Sequence, residues 1–357
     1  MSSPVDWGLA ERVAVRVAGS DPFAQSYHYD SLIPDFAELT AQAEALVGDA
    51  TGLRSLSGPA RARVTDRSDW VRANIASFQR LLRPLTDRFG DRMASGPFAP
   101  VARGIAGAEV GVMLGWMSTR VLGQYDMLIV EEEHPDDQDL VYYVGPNILA
   151  LEKHFAFPPR EFRLWLALHE VTHRAQFTGI PWLREHFLAL VDQTLAAVDP
   201  DPKRFVAALG RVAEGVRSGH NPLDDGGVAA LLASPAQLAV LDQISGMMSL
   251  LEGHGDVTMD RAGADRIPSA ERFSRVLRLR RQQSNSMVRL LQKLVGLEAK
   301  LNQYEQGERF ISAVEAVGGP GLLDEAWSGP EALPSMAEIR NPQLWIDRVQ
   351  STATLAG

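Results

Sequence analysis

The chain has 357 residues, 45% of them hydrophobic and 22% charged, which allows a sizeable core in one large or two ordinary domains. A net charge of −10 argues against general attraction to nucleic acid or to anionic lipid. The absence of cysteine excludes disulfides and thiolate metal sites, so any zinc ion must be held by His, Asp or Glu.

The N-terminus, MSSPVDWGLAERVAVRVAGSDP, has no apolar run after a basic start. No signal peptide is therefore expected, and the protein is read as cytoplasmic. Apolar residues recur at helical spacing in WGLAERVAVRVA and in FAELTAQAEALV. Asp66 or Ser68 is placed to cap a further helix, DWVRANIASFQRLLRPL. The stretch from Met93 to Gly104 reads as a boundary, separating a helical region, 1–95, from a metal-binding region, 96–357, that forms one compact unit. GIAGAEVGVMLGWMSTRVLG, from Gly104 to Gly123, is apolar but carries Glu109, Arg120 and many glycines. It falls short of the ~18 uninterrupted apolar residues of a membrane span and predicts a tightly packed helix. Two strands follow, Gln124 to Val130 and Leu140 to Leu149, as a hairpin around the acidic stretch EEEHPDDQD. The rest reads as helical, so the expected class is mainly α with a small β-hairpin or sheet.

The chemistry is concentrated in HEVTH: His169, Glu170, Val171, Thr172, His173. Histidines at i and i+4 share one face of a helix and can reach a single ion at ~2.0–2.1 Å. Glu170 is placed beside them, where it can take a proton from a water molecule. Pro158 and Pro159 mark a helix start, and Gly179 and Pro181 mark its end. Leu164, Leu168, Val171 and Ala175 are expected on the core side, with Phe162, Leu166, His169 and His173 as the stripe facing the site. Roughly 0.01 accidental HExxH matches are expected in a chain of this composition, so the motif favours a metal site over an ordinary helix face.

A zinc ion that keeps one position for water needs a third protein ligand. The longer pattern HExxHxxGxxH is absent, because Gln176 and Gly179 occupy its last two defining positions. The best source is LEGHGDVTMD, from Leu251 to Asp260, on a helix opened by Ser234 and Pro235. Glu252 and Asp256 are one turn apart on one face, with Glu252 as the ligand and Asp256 as a group that orients a ligand histidine. His254 competes, but two residues on an ideal helix point about 160° apart, so Glu252 and His254 do not both bind one ion. Gly253 and Gly255 cost a helix roughly 1 kcal/mol each against Ala, and suit a close approach of another backbone.

The segments DWVRANIASF, GWMSTRVLGQYD, LHEVTHRAQF, SLLEGHGDVTMD, RLLQKLVGLEAKLNQYEQGERF and NPQLWIDRV together resemble a family of zincin-like hydrolases. That family is grouped with zinc-dependent metalloproteases and associated with biosynthesis of the deazaflavin coenzyme F-420. The resemblance extends over nearly the whole chain. EGHxD and QYxxGxxF are its specific parts, and HExxH is generic. It implies a mostly helical, gluzincin-type zincin variant with zinc on His169 and His173 and with Glu170 catalytic.

Three further features bear on chemistry. Tyr304 and His254 are potential donors to an oxyanion. Arg278, Arg280 and Arg281 are suited to a substrate carboxylate, although a solvated helix face accounts for them as well. The strand LVYYVGP, just before the metal helix, is expected at a sheet edge, where it would hold extended substrate by strand addition. The expected function is hydrolysis of a peptide or amide bond, with a peptide or protein as the partner. The alternative is a non-catalytic, zinc-stabilised binding or accessory protein linked to deazaflavin coenzyme biosynthesis.

Overall fold

A computed structural model describes residues 3–21, 23, 25–83, 99–128, 138–196, 235–282 and 298–356. The chain forms two compact units, Met1–Pro181 with Thr258–Phe273, and Trp182–Val257 with Ser274–Gly357.

The first unit begins with α1 (Trp7–Ala18), α2 (Tyr27–Thr51), β1 (Arg61–Thr65), α3 (Arg67–Leu81) and α4 (Ala99–Ser118). It continues with β2 (Gly123–Tyr125), β3 (Leu140–Val144), α5 (Gly145–Phe155) and α6 (Pro159–Gly179). The Asp66 carboxylate caps α3 by accepting the Asp69 amide at 2.7 Å, as its position in the sequence predicts. The glycine-rich helix α4 packs backbone to backbone on α1. A Cβ at Gly107, Gly111 or Gly115 would lie 2.5, 2.6 or 2.5 Å from the carbonyl oxygens of Asp6, Ala10 and Ala14. Among the described residues no helix is long and apolar enough to cross a membrane.

The sheet differs from the expected hairpin. Among the described residues it has three strands in the order β1-β3-β2, with β1 parallel and β2 antiparallel to β3. LVYYV is therefore the central strand and not an edge, and all five of its residues are buried. Phe36 stacks on Tyr143 with ring centroids 3.8 Å apart, and the Tyr143 hydroxyl meets the Thr40 hydroxyl at 2.8 Å. The strand stops at Val144 because Gly145 and Pro146 open α5, a first-turn proline being at home there. β2 is also shorter than expected. The Asp126 carboxylate accepts the Leu128 amide at 3.1 Å, turning the chain out of the ladder, and Ile129 and Val130 lie outside the described residues.

The second unit holds α7 (Leu183–Ala196) and α8 (Pro235–Gly263) up to Val257. From Ser274 on it also holds α9 (Ala270–Gln282), and then α10 (Glu298–Gly318), α11 (Pro320–Asp324), α12 (Met336–Arg340) and α13 (Pro342–Ala356). Its core gathers Leu250, Phe310, Ile311, Val314, Ile339, Trp345 and Ile346. The Trp345 indole donates to the Ala332 carbonyl at 2.7 Å, so its one polar atom is satisfied on burial.

Candidate metal centre

Helix α6 carries HEVTH. It starts at Pro159 and ends at Gly179, as the prolines and glycine of the sequence predict. Its burial is wider than a single core face: most residues from Phe162 to Thr178 are buried, including two arginines. Arg163 donates to both Glu152 carboxylate oxygens at 2.7 and 2.9 Å and pairs with Asp35. Arg174 donates to Asp139 at 3.1 and 2.7 Å, to Glu44 at 2.8 Å and to the Gly58 carbonyl at 2.8 Å. Burial works against the Arg163 cation, but the bonds to Glu152 and Asp35 outweigh it and raise its pKa. These two anchors lie on either side of the motif along α6 and fix the rotation of the helix.

The two histidines converge. Nε2 of His169 and Nε2 of His173 are 3.3 Å apart. Two nitrogens bound to one tetrahedral zinc at the usual bond length stand about 3.3 Å apart, so the pair has the spacing that such an ion requires. The other ring nitrogen of His173, Nδ1, is 3.0 Å from the Gln176 side-chain oxygen. That oxygen can accept from a protonated Nδ1, the tautomer that leaves the Nε2 lone pair for a cation. Gln176 is fully buried. Its place one turn after His173 is the sequence signal for this contact.

Glu252 stands on α8, a helix continuous from Pro235 to Gly263. The last turns of that helix, from Thr258, belong to the first unit, where a Cβ on Gly263 would lie 3.5 Å from Leu168 of α6. One ligand atom each of His169, His173 and Glu252 lies within 4.8 Å of the others. Two imidazoles and a carboxylate, without a thiolate, form a donor set suited to a first-row divalent ion. His254 and Asp256 are not in this group. The buried His254 ring instead meets the Trp327 ring edge-on at 5.3 Å. Next to Glu252, a Cβ on Gly253 would come within 2.4 Å of the Gly307 backbone of α10. The glycines of EGHxD and QYxxGxxF therefore meet each other, which gives both motifs a packing reason. Tyr304 lies on α10 with its side chain outside the described residues, as do the side chains of Arg280 and Arg281, and Arg278 is exposed. Ser234 also lies outside them.

Glu170 is buried, and its Oε2 accepts the backbone N–H of Tyr125 at 3.1 Å. Gly123 leaves the room for it: a Cβ there would stand 2.7 Å from Cγ and from Oε1 of Glu170. The Tyr125 hydroxyl donates to Asp139 at 3.1 Å, and burial followed by the Asp139 charge pushes its pKa up, so it stays protonated. Asp139 is the same carboxylate that holds Arg174. Strand β2, Glu170 and the anchored helix are thus joined through side chains and backbone. Gly123 and Tyr125 lie in the segment GWMSTRVLGQYD that carries part of the family resemblance, although nothing in their identity alone ties them to Glu170.

The family model of zincin-like metallopeptidases matches residues 5–346. A solved structure from Chloroflexus aurantiacus, described as a candidate hydrolase with a novel fold, is 31% identical, with a TM-score of 0.71 over 97% of this chain and 99% of that one. No curated protein matches the chain at a significant level. The geometry of HEVTH and the match over most of the chain lead to one conclusion: the chain belongs to the zincin-like metallopeptidase family.

Proposed function

We propose that the protein is a zinc-dependent hydrolase of a peptide or amide bond, with His169, His173 and Glu252 as ligands and Glu170 as general base. The observation that carries this reading is the 3.3 Å separation of the two histidine Nε2 atoms with a Glu252 oxygen within reach. When bound, zinc supplies a Lewis acid that acidifies water and polarises a carbonyl. The residues of the chain supply the rest. Gln176 keeps the proton of His173 on Nδ1 and the Nε2 lone pair directed at the ion. Glu170 takes the proton of the attacking water on a carboxylate oxygen, while the Tyr125 amide holds the other oxygen in place. Asp256 is assigned to orienting a ligand imidazole, and Tyr304, with His254, to stabilising the oxyanion.

A second reading, a non-catalytic zinc-stabilised protein linked to coenzyme F-420 biosynthesis, draws on the same Glu170–Tyr125 bond as a purely structural tie. Glu170→Gln separates the two. Its amide oxygen still accepts the Tyr125 amide but no longer takes a proton from water. The variant is expected to fold and hold zinc like the parent, yet to lose about 100-fold or more of the turnover found in a screen of peptide and amide substrates. Equal turnover by both proteins would refute the base, and zinc binding without turnover by either would favour the second reading.

A further inference from the structure

Among the described residues no strand pairs with the outer edge of β2, and that edge lies beside Glu170. Pairing with β3 is antiparallel, with Gln124 opposite Tyr142 and Tyr125 opposite Val141. The amides of Asp126 and Val144 bond across the ladder to the carbonyls of Leu140 and Leu122. In such a ladder alternate residues face the partner strand, so Gly123 and Tyr125 direct their N–H and C=O groups outward. A strand added here would need those groups. The Tyr125 N–H is already donated to Glu170, and the Glu170 side chain runs along the edge past Gly123, where even a methyl group would collide with it. The opposite edge of the sheet is β1, against which α2 packs.

We propose that the free edge of β2 seats the catalytic carboxylate in place of a substrate strand, so that the site takes short amides held through the groups around the scissile bond and not extended polypeptide. This rests on the reading of Glu170 as the base of a hydrolytic zinc site. Strand addition draws affinity from a run of main-chain hydrogen bonds, and here the first of those donors is spent on the enzyme's own base. A peptide laid along the edge would have to dislodge Glu170 from the Tyr125 amide and leave a buried carboxylate short of a partner.

The test uses zinc-loaded, full-length protein and three probes: acetohydroxamic acid, an alanine pentapeptide hydroxamate, and that pentapeptide with N-methylated backbone amides. Calorimetry is expected to place the pentapeptide within about tenfold of acetohydroxamate, with N-methylation changing little. A gain of about 100-fold or more that N-methylation abolishes would overturn the proposal. The seat itself has a readout that needs no metal. Both Gly123→Ala and Glu170→Ala are expected to speed hydrogen exchange of the Tyr125 amide, while the Asp126 and Val144 amides stay protected because the ladder persists. Unchanged Tyr125 exchange in both variants would overturn the seat. Failure to take up zinc at all would appear in the metal titration and would count against the proposed function, separately from this result.

Discussion

The two helices that carry the proposed ligands are held in opposite ways. Helix α6 is fixed by buried charge: Arg163 and Arg174 grip carboxylates from α2, from α5 and from the residue before β3, and their geometry leaves little rotational freedom. Helix α8 is fixed by missing side chains. Cβ atoms on Gly246 and Gly253 would lie 2.3 Å from the Pro334 carbonyl oxygen and 2.4 Å from the Gly307 carbonyl carbon. A metal centre needs its ligands held to within a fraction of an ångström, and electrostatic anchoring and bare backbone contact both achieve that. The two devices fail differently, and the difference can be measured.

The largest effect is expected on the charged side. Arg174→Met leaves Asp139 buried without its cation, which costs about 3–5 kcal/mol when one partner of a buried pair is removed. Urea denaturation would measure it, and a loss below about 1 kcal/mol would mean that the anchor is not a buried ion pair in solution. On the glycine side, Gly253→Ala gains roughly 1 kcal/mol of helix propensity but forces α8 and α10 apart. Overpacking is expected to win, with a net loss of about 1–2 kcal/mol and weaker metal binding through the neighbouring Glu252. A more stable variant would refute the close approach.

The smallest effect concerns pH. Burial pushes the Glu338 carboxyl up, but bonds from Arg348 and Ser335 outweigh this and leave its pKa below the ordinary value. The folded state thus binds fewer protons than the unfolded one. The stabilisation is present above the ordinary carboxylate value and is lost as pH falls through the lowered one. Because the group is partly exposed, the contribution is expected to stay under about 1 kcal/mol. Glu338→Gln should flatten that part of the acid unfolding curve, and an unaltered curve would show that the pairing contributes nothing.

The same contrast explains what could be read from the sequence. The start and end of α6, the cap of α3 and the convergence of His169 with His173 follow from local rules, since prolines, caps and i, i+4 spacing act within a turn or two. Gly253 was legible as a point of close approach because glycine inside a helix otherwise only costs stability. The place of β3 at the centre of the sheet was not legible. It depends on β1, whose alternation over Arg61, Ala62, Arg63 and Val64 is a short strand signal that does not reveal its partner, residues far away in the chain. The seat of Glu170 escaped notice for a related reason. It is made by a backbone amide, which leaves no mark on residue identity, and by the glycine at 123, whose identity alone does not say which side chain it admits.

In the proposed centre, two histidines on the charge-anchored helix and one glutamate on the glycine-packed helix hold a single zinc ion. Competition with a chromophoric chelator, applied to the parent and to Glu252→Ala and His254→Ala, measures it directly. The parent is expected to bind about one zinc per chain. Glu252→Ala should lose at least about 100-fold in affinity, a larger loss than the 10–100-fold of outer-sphere changes, while His254→Ala stays close to the parent. Zinc retained by Glu252→Ala and lost by His254→Ala would contradict it.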